Sequence, residues 1–152
     1  MFRIDEDFVL LDVEATSADE LIRFMCKELE AAGCIQSEHV DAVLEREQKF
    51  PTGLPTKPFC VALPHGEPHG VNESALCFAR LKKPVVFKNM GNACEDLDVR
   101  MVFLLVNNSS ENQVEALRNL SEMFGESEKL STLALLENKK DVAKMLSNTI
   151  LK

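Results

Sequence analysis

The segment Val99–Val106 is the feature that most restricts how this chain can fold. Apart from Arg100 it is continuously apolar, which is typical of a strand covered on both of its faces. A second apolar segment, Phe59–Leu63, is closed by Pro64 and predicts another strand of the same kind. Because such strands need helices packed on each side, the chain is expected to form three layers.

The segments around these strands carry helical patterns. Ser17–Glu20 has the form of a capping box, and apolar residues at helical spacing continue from it to Gly33. Ser37 is expected to cap a second helix that ends at Phe50–Gly53, where proline and glycine lead into a rigid loop. Ser110–Gln113 also has the form of a capping box and predicts the start of a third helix. Two further helical segments complete the chain: Leu130–Leu136 and Val142–Leu151.

The middle of the chain adds strands to this pattern. Ala75–Leu81 and Pro84–Lys88 predict two strands joined by a turn at Lys82 and Lys83. Together the elements predict an α/β fold, a three-layer α/β/α sandwich with a mixed, mostly buried central sheet of about five strands. Apolar residues are spread along the whole length without a linker or a repeat, so we expect one domain over residues 1–152.

Composition excludes several classes of function. A net charge of -8 opposes a phosphate backbone, so nucleic acid is not a predicted partner. The acidic beginning of the chain does not fit a signal peptide, and no apolar stretch approaches the roughly 18 residues of a membrane span, which predicts a cytoplasmic protein. The five cysteines are widely spaced without a C-x-x-C pair, so we expect reduced thiols.

His65 is the candidate nucleophile. It follows a predicted buried strand and lies between Pro64, which restricts the backbone, and Gly66, which lets another molecule approach closely. A neutral imidazole nitrogen can attack phosphorus without a separate base, and the phosphoimidazole that results is a good phosphoryl donor. The pattern therefore predicts a phosphoryl carrier.

Groups that stabilise a phosphoryl anion are expected at the end of the neighbouring strand. Binding sites in open α/β sheets lie at strand ends, where the loops after Leu63 and Val106 would meet if the two strands are neighbours. The helix that starts at Ser109–Ser110 has free backbone amides at its positive end, which favours an anion. Gln113, on its first turn, could add an amide donor.

Three ordered motifs resemble a known family. Glu45–Glu47, Phe50–Leu54 and Val61–His65 resemble the R-E pair, the T-G-hydrophobic loop and the A-hydrophobic-P-H strand end of the type 2 enzyme IIA domain of the fructose and mannitol class. This phosphotransferase resemblance covers nearly the whole chain, including Ala75–Arg80 and Val99–Val106. It implies that His65 takes phosphate from the histidine carrier protein HPr and gives it to a cysteine of a IIB component. That component serves the membrane IIC component, and the resemblance implies no cofactor or metal ion.

The resemblance also assigns roles to residues around His65. Arg46 matches the arginine of the family's motif, and its guanidinium could pair with phosphoryl oxygens. Gln113 stands where many members carry a second histidine. Here a second histidine instead follows at His69, and the P-H-x-x-x-H pattern with F-P-T-G is similar to the galactitol-specific branch. His69 is therefore a candidate for orienting or shielding the site.

The histidines and cysteines also allow other functions to be considered. A metal site of His65, Glu67 and His69 would need a helix, which the prolines and glycines of this loop disfavour. A cysteine hydrolase built on Cys60 is disfavoured because that thiol lies inside an apolar strand. A IIA-like regulatory protein, which controls a partner by its phosphorylation state, would use the same site residues. His39, near the start of the second helix, is expected on the surface.

Overall fold

The computed structural model describes residues 2–151, and these form an α/β fold of five α-helices and one five-stranded mixed sheet. The strands are β1 (Val9–Val13), β2 (Gly53–Leu54), β3 (Cys60–Ala62), β4 (Ala75–Asn89) and β5 (Asn92–Val106). The helices are α1 (Ala18–Ala31), α2 (Ser37–Lys49), α3 (Ser110–Phe124), α4 (Ser127–Leu135) and α5 (Lys139–Ile150). The predicted fold class is confirmed.

The sheet is organised around the long antiparallel pair β4 and β5, which run from Ala75 opposite Val106 to the turn after Asn89. β1 lies parallel to β4 on one side, and β3 lies parallel to β5 on the other. The short β2 pairs antiparallel with β3 and meets the end of β4. The strands predicted at Phe59–Leu63 and Val99–Val106, whose pairing the sequence left open, therefore lie side by side.

The two faces of the sheet bury different side chains, as alternation along a strand requires. Ala62 faces the layer formed by α1 and α2, whereas Val61 faces the layer formed by α3, α4 and α5. On the second face the Phe103 ring lies between those of Phe78 and Phe124, at centroid distances of 5.1 and 4.9 Å. Each face thus has its own apolar cluster, and the sheet is the middle of three layers.

The starts of α1, α2 and α3 agree with the sequence to within a residue, whereas α4 and α5 each begin three residues before the predicted Leu130 and Val142. The hydroxyl of Ser17 accepts a hydrogen bond from the Glu20 amide, as the predicted capping box requires. The other two predicted caps are wrong by one position. Gln36 precedes α2 and makes no side-chain cap, and Ser109, which has extended backbone, caps α3 by accepting from the Glu111 amide at 3.3 Å. A cap must lie outside the helical turn, and Ser37 and Ser110 already belong to it.

The predicted turn at Lys82 and Lys83 is wrong, because β4 continues through it as one strand. The pairing passes from Arg80 opposite Met101 to Val85 opposite Val99, so residues 81–84 of β4 face only position 100 of β5. Such an irregularity accommodates Pro84, which has no amide to donate to a ladder. The sequence therefore indicated a break in regular pairing at this position, but it did not predict that one strand continues through the break.

The far end of the β4–β5 hairpin lies against β2. The Met90 amide donates to the Gly53 carbonyl at 2.7 Å, and a β-carbon at Gly53 would lie 2.5 Å from the Lys88 carbonyl oxygen. Only glycine fits this approach without a shift of the backbone. The predicted loop at Phe50–Gly53 therefore ends in the short strand β2.

The first strand, β1, was not predicted from the sequence.

Candidate functional site

The His65 side chain is held at the end of β3 in a defined orientation. It is 8% exposed, and its Nδ1 lies 2.8 Å from the Leu63 carbonyl oxygen. A carbonyl oxygen can only accept, so Nδ1 carries the proton and Nε2 is the nitrogen with the free lone pair. The backbone around this side chain thus selects which ring nitrogen is available for reaction.

The surroundings of His65 favour its neutral form. Burial is the main cause that lowers the pKa of the imidazole, and the nearby Arg46 acts in the same direction. The hydrogen bond to Leu63 and the charge of Glu67 oppose this shift. Since the net shift is downward, the lone pair on Nε2 persists at a pH where an ordinary histidine is partly protonated.

The pairing of β3 with β5 places the loops after the two strands side by side. The chain at His65 is bridged in parallel to Leu105, whose amide donates to the Pro64 carbonyl at 3.0 Å. β5 ends one residue later, and α3 begins at Ser110. The amino end of that helix therefore belongs to the same edge of the sheet as His65, as the sequence predicted.

Asn107 at this edge was not singled out from the sequence. It is 3% exposed, and its side-chain oxygen accepts from the Ser74 hydroxyl at 2.8 Å and the Ser109 amide at 3.2 Å. Its Nδ2 is buried and has no hydrogen-bond partner within residues 2–151. Because buried donors are rarely left unpaired, this nitrogen is an unused hydrogen-bond donor at the edge of the sheet that holds His65.

Arg46 extends from α2 toward the same loop. Its guanidinium Nη1 lies 3.6 Å from Glu67 Oε1, and its central carbon lies 5.5 Å from the centre of the Phe50 ring. The side chain is 36% exposed, but its Nε is buried and is unpaired in the described part of the chain. Arg46 is thus a second donor beside His65 with unused capacity.

A hydrogen-bonded chain supports the end of β3. Glu47 accepts from the Thr52 amide at 2.9 Å and from the Thr52 hydroxyl at 2.7 Å. That hydroxyl in turn accepts from the Leu63 amide at 3.1 Å. The E of the R-E pair and the T of the T-G pair therefore hold the residue whose carbonyl orients His65. Burial raises the pKa of Glu47, against the effect of the Thr52 bonds.

The remaining candidates occupy different positions around the loop. Gln113 lies half-buried on the first turn of α3. The His69 side chain is 85% exposed, and its Nε2 lies 3.6 Å from Glu38 Oε2. The prediction that His39 lies on the surface is wrong: it is 1% exposed, because the loop after His65 folds over the start of α2.

The competing interpretations find no matching geometry. His65 and His69 have different partners, and residues 2–151 contain no group of three or more histidine, cysteine or acidic side chains arranged for a metal ion. Burial raises the pKa of the Cys60 thiol, which opposes formation of the thiolate that a nucleophile needs. Among residues 2–151, none of the helices combines the length and the hydrophobicity of a membrane span.

The chain is similar to curated phosphotransferase proteins. It is 26% identical over 129 residues to the galactitol-specific EIIA component of Escherichia coli strain K12, covering 85% of each chain. It is 23% identical over 150 residues to the mannitol-specific EIICBA component of Buchnera aphidicola subsp. Baizongia pistaciae. That match includes 97% of this chain but only 22% of the length of the relative.

Solved structures share the fold. Enzyme IIAMTL of Escherichia coli, in its complex with phosphorylated enzyme IIBMTL, superimposes with a TM-score of 0.78 at 23% identity, covering 97% and 99% of the two chains. The nitrogen regulatory protein IIA-Ntr of Neisseria meningitidis also gives 0.78, at 25% identity over 93% and 94%. The family model for the phosphoenolpyruvate-dependent sugar phosphotransferase system, EIIA 2, matches residues 3–149. This chain therefore belongs to the EIIA 2 family of the sugar phosphotransferase system.

Proposed function

We propose that this chain is a phosphoryl carrier that accepts a phosphoryl group on Nε2 of His65. The observation that carries the proposal is the hydrogen bond from His65 Nδ1 to the Leu63 carbonyl, which leaves Nε2 unprotonated at the end of a buried strand. Family membership supports the same role. The carrier acts as one domain and works in the cytoplasm.

The transfer is a displacement at phosphorus between two proteins. The Nε2 lone pair attacks the phosphoryl group of phosphorylated HPr, an N–P bond forms on His65, and the P–N bond to the donor imidazole breaks. In the second step a cysteine thiolate of a IIB component attacks the same phosphorus, and His65 is released as neutral imidazole. Each step needs a fixed ring and stabilisation of the phosphoryl oxygens rather than a separate acid or base.

Unpaired donors around His65 supply that stabilisation. Arg46 Nε and Asn107 Nδ2 are buried nitrogens without acceptors among residues 2–151, and both belong to segments that meet the His65 loop. The free amides at the start of α3 and the side chain of Gln113 add further donors at the same edge. The exposed side chain of His69 shields the outer side of the loop. In this proposal Arg46, Asn107 and Gln113 contact the phosphoryl oxygens.

The downstream partners follow from the relatives. The Escherichia coli enzyme IIAMTL forms a complex with phosphorylated enzyme IIBMTL, and we extend a IIB partner to this chain, with a membrane IIC component beyond it. The galactitol-specific relative makes galactitol the first sugar alcohol to test. The IIC component selects the sugar, so the proposal for this chain is the relay itself.

Labelling with radioactive phosphoenolpyruvate in the presence of enzyme I and HPr tests the acceptor. We expect acid-labile label on the wild-type chain and none on His65→Ala. His65→Asn is the matched control, because its amide can still donate to the Leu63 carbonyl while it lacks a ring nitrogen to attack phosphorus. A label that persists on a folded His65→Asn protein would show that another residue accepts the phosphoryl group.

A regulatory role is the second candidate, because the similar structure from Neisseria meningitidis is a nitrogen regulatory protein. In that case the phosphoryl state of His65 would control binding to a partner, and no IIB cysteine would be needed. Phosphorylated protein incubated with a panel of IIB components decides between the two. Rapid loss of label to one IIB component supports transport, whereas stable label with all of them supports regulation.

A further inference from the structure

His39 occupies the space under the loop that carries the phosphoryl acceptor. It lies on the first turn of α2, is 1% exposed, and its Nδ1 lies 2.9 Å from the His69 carbonyl oxygen. Since that oxygen can only accept, Nδ1 is the donor and Nε2 carries the lone pair. Nε2 is buried and has no partner within the described chain. The ring therefore has one hydrogen bond, and that bond goes to the loop.

The loop between His65 and Val71 is shaped to fit this ring. A β-carbon at Gly66 would lie 3.3 Å from His39 Cε1, and one at Gly70 would lie 3.1 Å from the His39 β-carbon. Gly70 also has φ +84, a conformation that side chains disfavour. At both positions a side chain would crowd His39, so glycine lets the loop lie against it.

The start of α2 holds the far end of the same loop. The Gln36 amide donates to the Gly70 carbonyl at 2.8 Å, and residue 35 is bridged to residue 71 in an antiparallel pair. The Leu63 and Leu105 contacts described above hold the near end. His39 lies between these two attachments, and its ring occupies the space beside Gly66, 3.3 Å from where a β-carbon of that residue would stand.

We propose that His39 is a positioning residue for phosphoryl transfer, which fixes the Gly66–Gly70 backbone through its hydrogen bond to the His69 carbonyl and its packing against Gly66. The proposal rests on the transfer function proposed for His65. His39 itself takes no phosphoryl group, because the loop covers its ring. Its contribution is that the His65 ring is already in the reactive orientation when a partner docks.

The charged groups near His39 are compatible with this role. Glu38, the residue before His39 in α2, pairs with the exposed His69 ring, and Arg46, further along α2, pairs with Glu67 of the loop. Burial lowers the pKa of His39. A neutral ring keeps its single proton on Nδ1 and keeps the bond to the loop.

Variants at position 39 separate positioning from general stability. His39→Leu removes the donor, whereas His39→Asn retains an amide nitrogen near the position of Nδ1. We expect His39→Leu to lower kcat for transfer from HPr about tenfold or more, because small misplacements of a reacting group are costly. KM should change by less than a factor of about two, since the exposed docking surface is unaltered. His39→Asn should restore most of kcat.

Leu29→Ala in α1 is the matched control for stability. Leu29 is fully buried in the apolar cluster between the sheet and the layer of α1 and α2, and it belongs to a different helix from His39. We expect this variant to lower the melting temperature at least as much as His39→Leu without lowering kcat. Loss of kcat in Leu29→Ala equal to that in His39→Leu, a change in KM alone, or wild-type kcat in His39→Leu would each overturn the proposal.

Amide hydrogen exchange in the unphosphorylated proteins separates this inference from the transfer function. We expect the Gly70 and Val71 amides to exchange faster in His39→Leu than in wild type and in His39→Asn. If the wild-type chain accepts no phosphate, the transfer function fails. Unchanged exchange in His39→Leu, which is measured without any phosphoryl transfer, refutes the positioning of the loop by His39 on its own.

Discussion

The hydroxyl of Thr52 is the link between α2 and the end of β3, and its removal gives the sharpest test of the site's support. The substitution Thr52→Val keeps the shape of the side chain but replaces the hydroxyl by a methyl group. It removes the bond to Glu47 Oε1 and leaves the Leu63 amide without its acceptor. The Thr52 backbone amide can still donate to Glu47.

The size of the effect follows from the two lost hydrogen bonds. A bond to a charged group contributes about 1.5 to 3 kcal/mol, and a buried donor left unpaired costs about 1 to 3 kcal/mol. Glu47 is half-buried, so water can replace part of the hydrogen bond that it loses from the Thr52 hydroxyl. We therefore take the lower half of both free-energy ranges. The free energy of unfolding should fall by about 3 kcal/mol, which lowers Tm by about 6 to 12 °C in a chain of this size.

Urea and thermal denaturation at neutral pH measure this difference, with Thr52→Ser as the control. Serine keeps the hydroxyl, so we expect that variant to lose less than about 1 kcal/mol. The pKa of Glu47 is already raised by burial, and loss of the Thr52 hydroxyl should raise it further. As the pH falls, the folded variant, with its higher Glu47 pKa, gains more free energy from binding a proton than the folded wild type does. The difference in free energy of unfolding between Thr52→Val and wild type should therefore shrink as the pH falls. Equal stability of Thr52→Val and wild type, or equal losses in the valine and serine variants, would refute the role of this chain of bonds.

Three further predictions concern the transfer reaction. Arg46→Ala and Gln113→Ala should each slow transfer by a barrier of about 1 to 3 kcal/mol while far-ultraviolet circular dichroism stays unchanged, and wild-type rates in both would remove them from the site. Because burial lowers the pKa of His65, a larger fraction of its ring should be neutral near pH 6 than the about one-quarter expected of an ordinary histidine. An NMR titration with a midpoint above about 6.5 would contradict this. Added salt should slow transfer from HPr, since charges on a chain of net charge -8 are screened beyond about 8 Å at physiological strength; a rate independent of salt would indicate apolar docking.

The sequence was most informative where a pattern has one physical solution. A continuously apolar strand must be covered on both faces, and so Val99–Val106 correctly predicted a sheet as the middle layer. Its pairing with the strand before His65 was left open by the sequence and is seen in the structure. Helix positions followed from the spacing of apolar residues. The observed cap residues of α2 and α3 lie one position before the predicted ones, because adjacent polar residues can each serve as a cap, as at Ser109 and Ser110.

Features that depend on distant partners could not be predicted locally. β1 and β2 are short, and β2 exists because β3 and the end of β4 pair with it. Lys82 and Lys83 look like a turn until β5 provides a partner on either side of them. His39 has a polar side chain on a helix start, and its burial depends on a loop some 30 residues later, although Gly66 and Gly70 were visible signals of a close approach.

The close contact of Gly53 with Lys88 gives the T-G motif a mechanical meaning. Thr52 is bonded to the strand end that orients His65, and its chain neighbour abuts the far tip of the β4–β5 ribbon. A side chain at position 53 would displace either the Lys88 backbone of the ribbon or the neighbouring Thr52. A displacement of that tip would consequently reach the reactive imidazole through Gly53, Thr52 and Leu63.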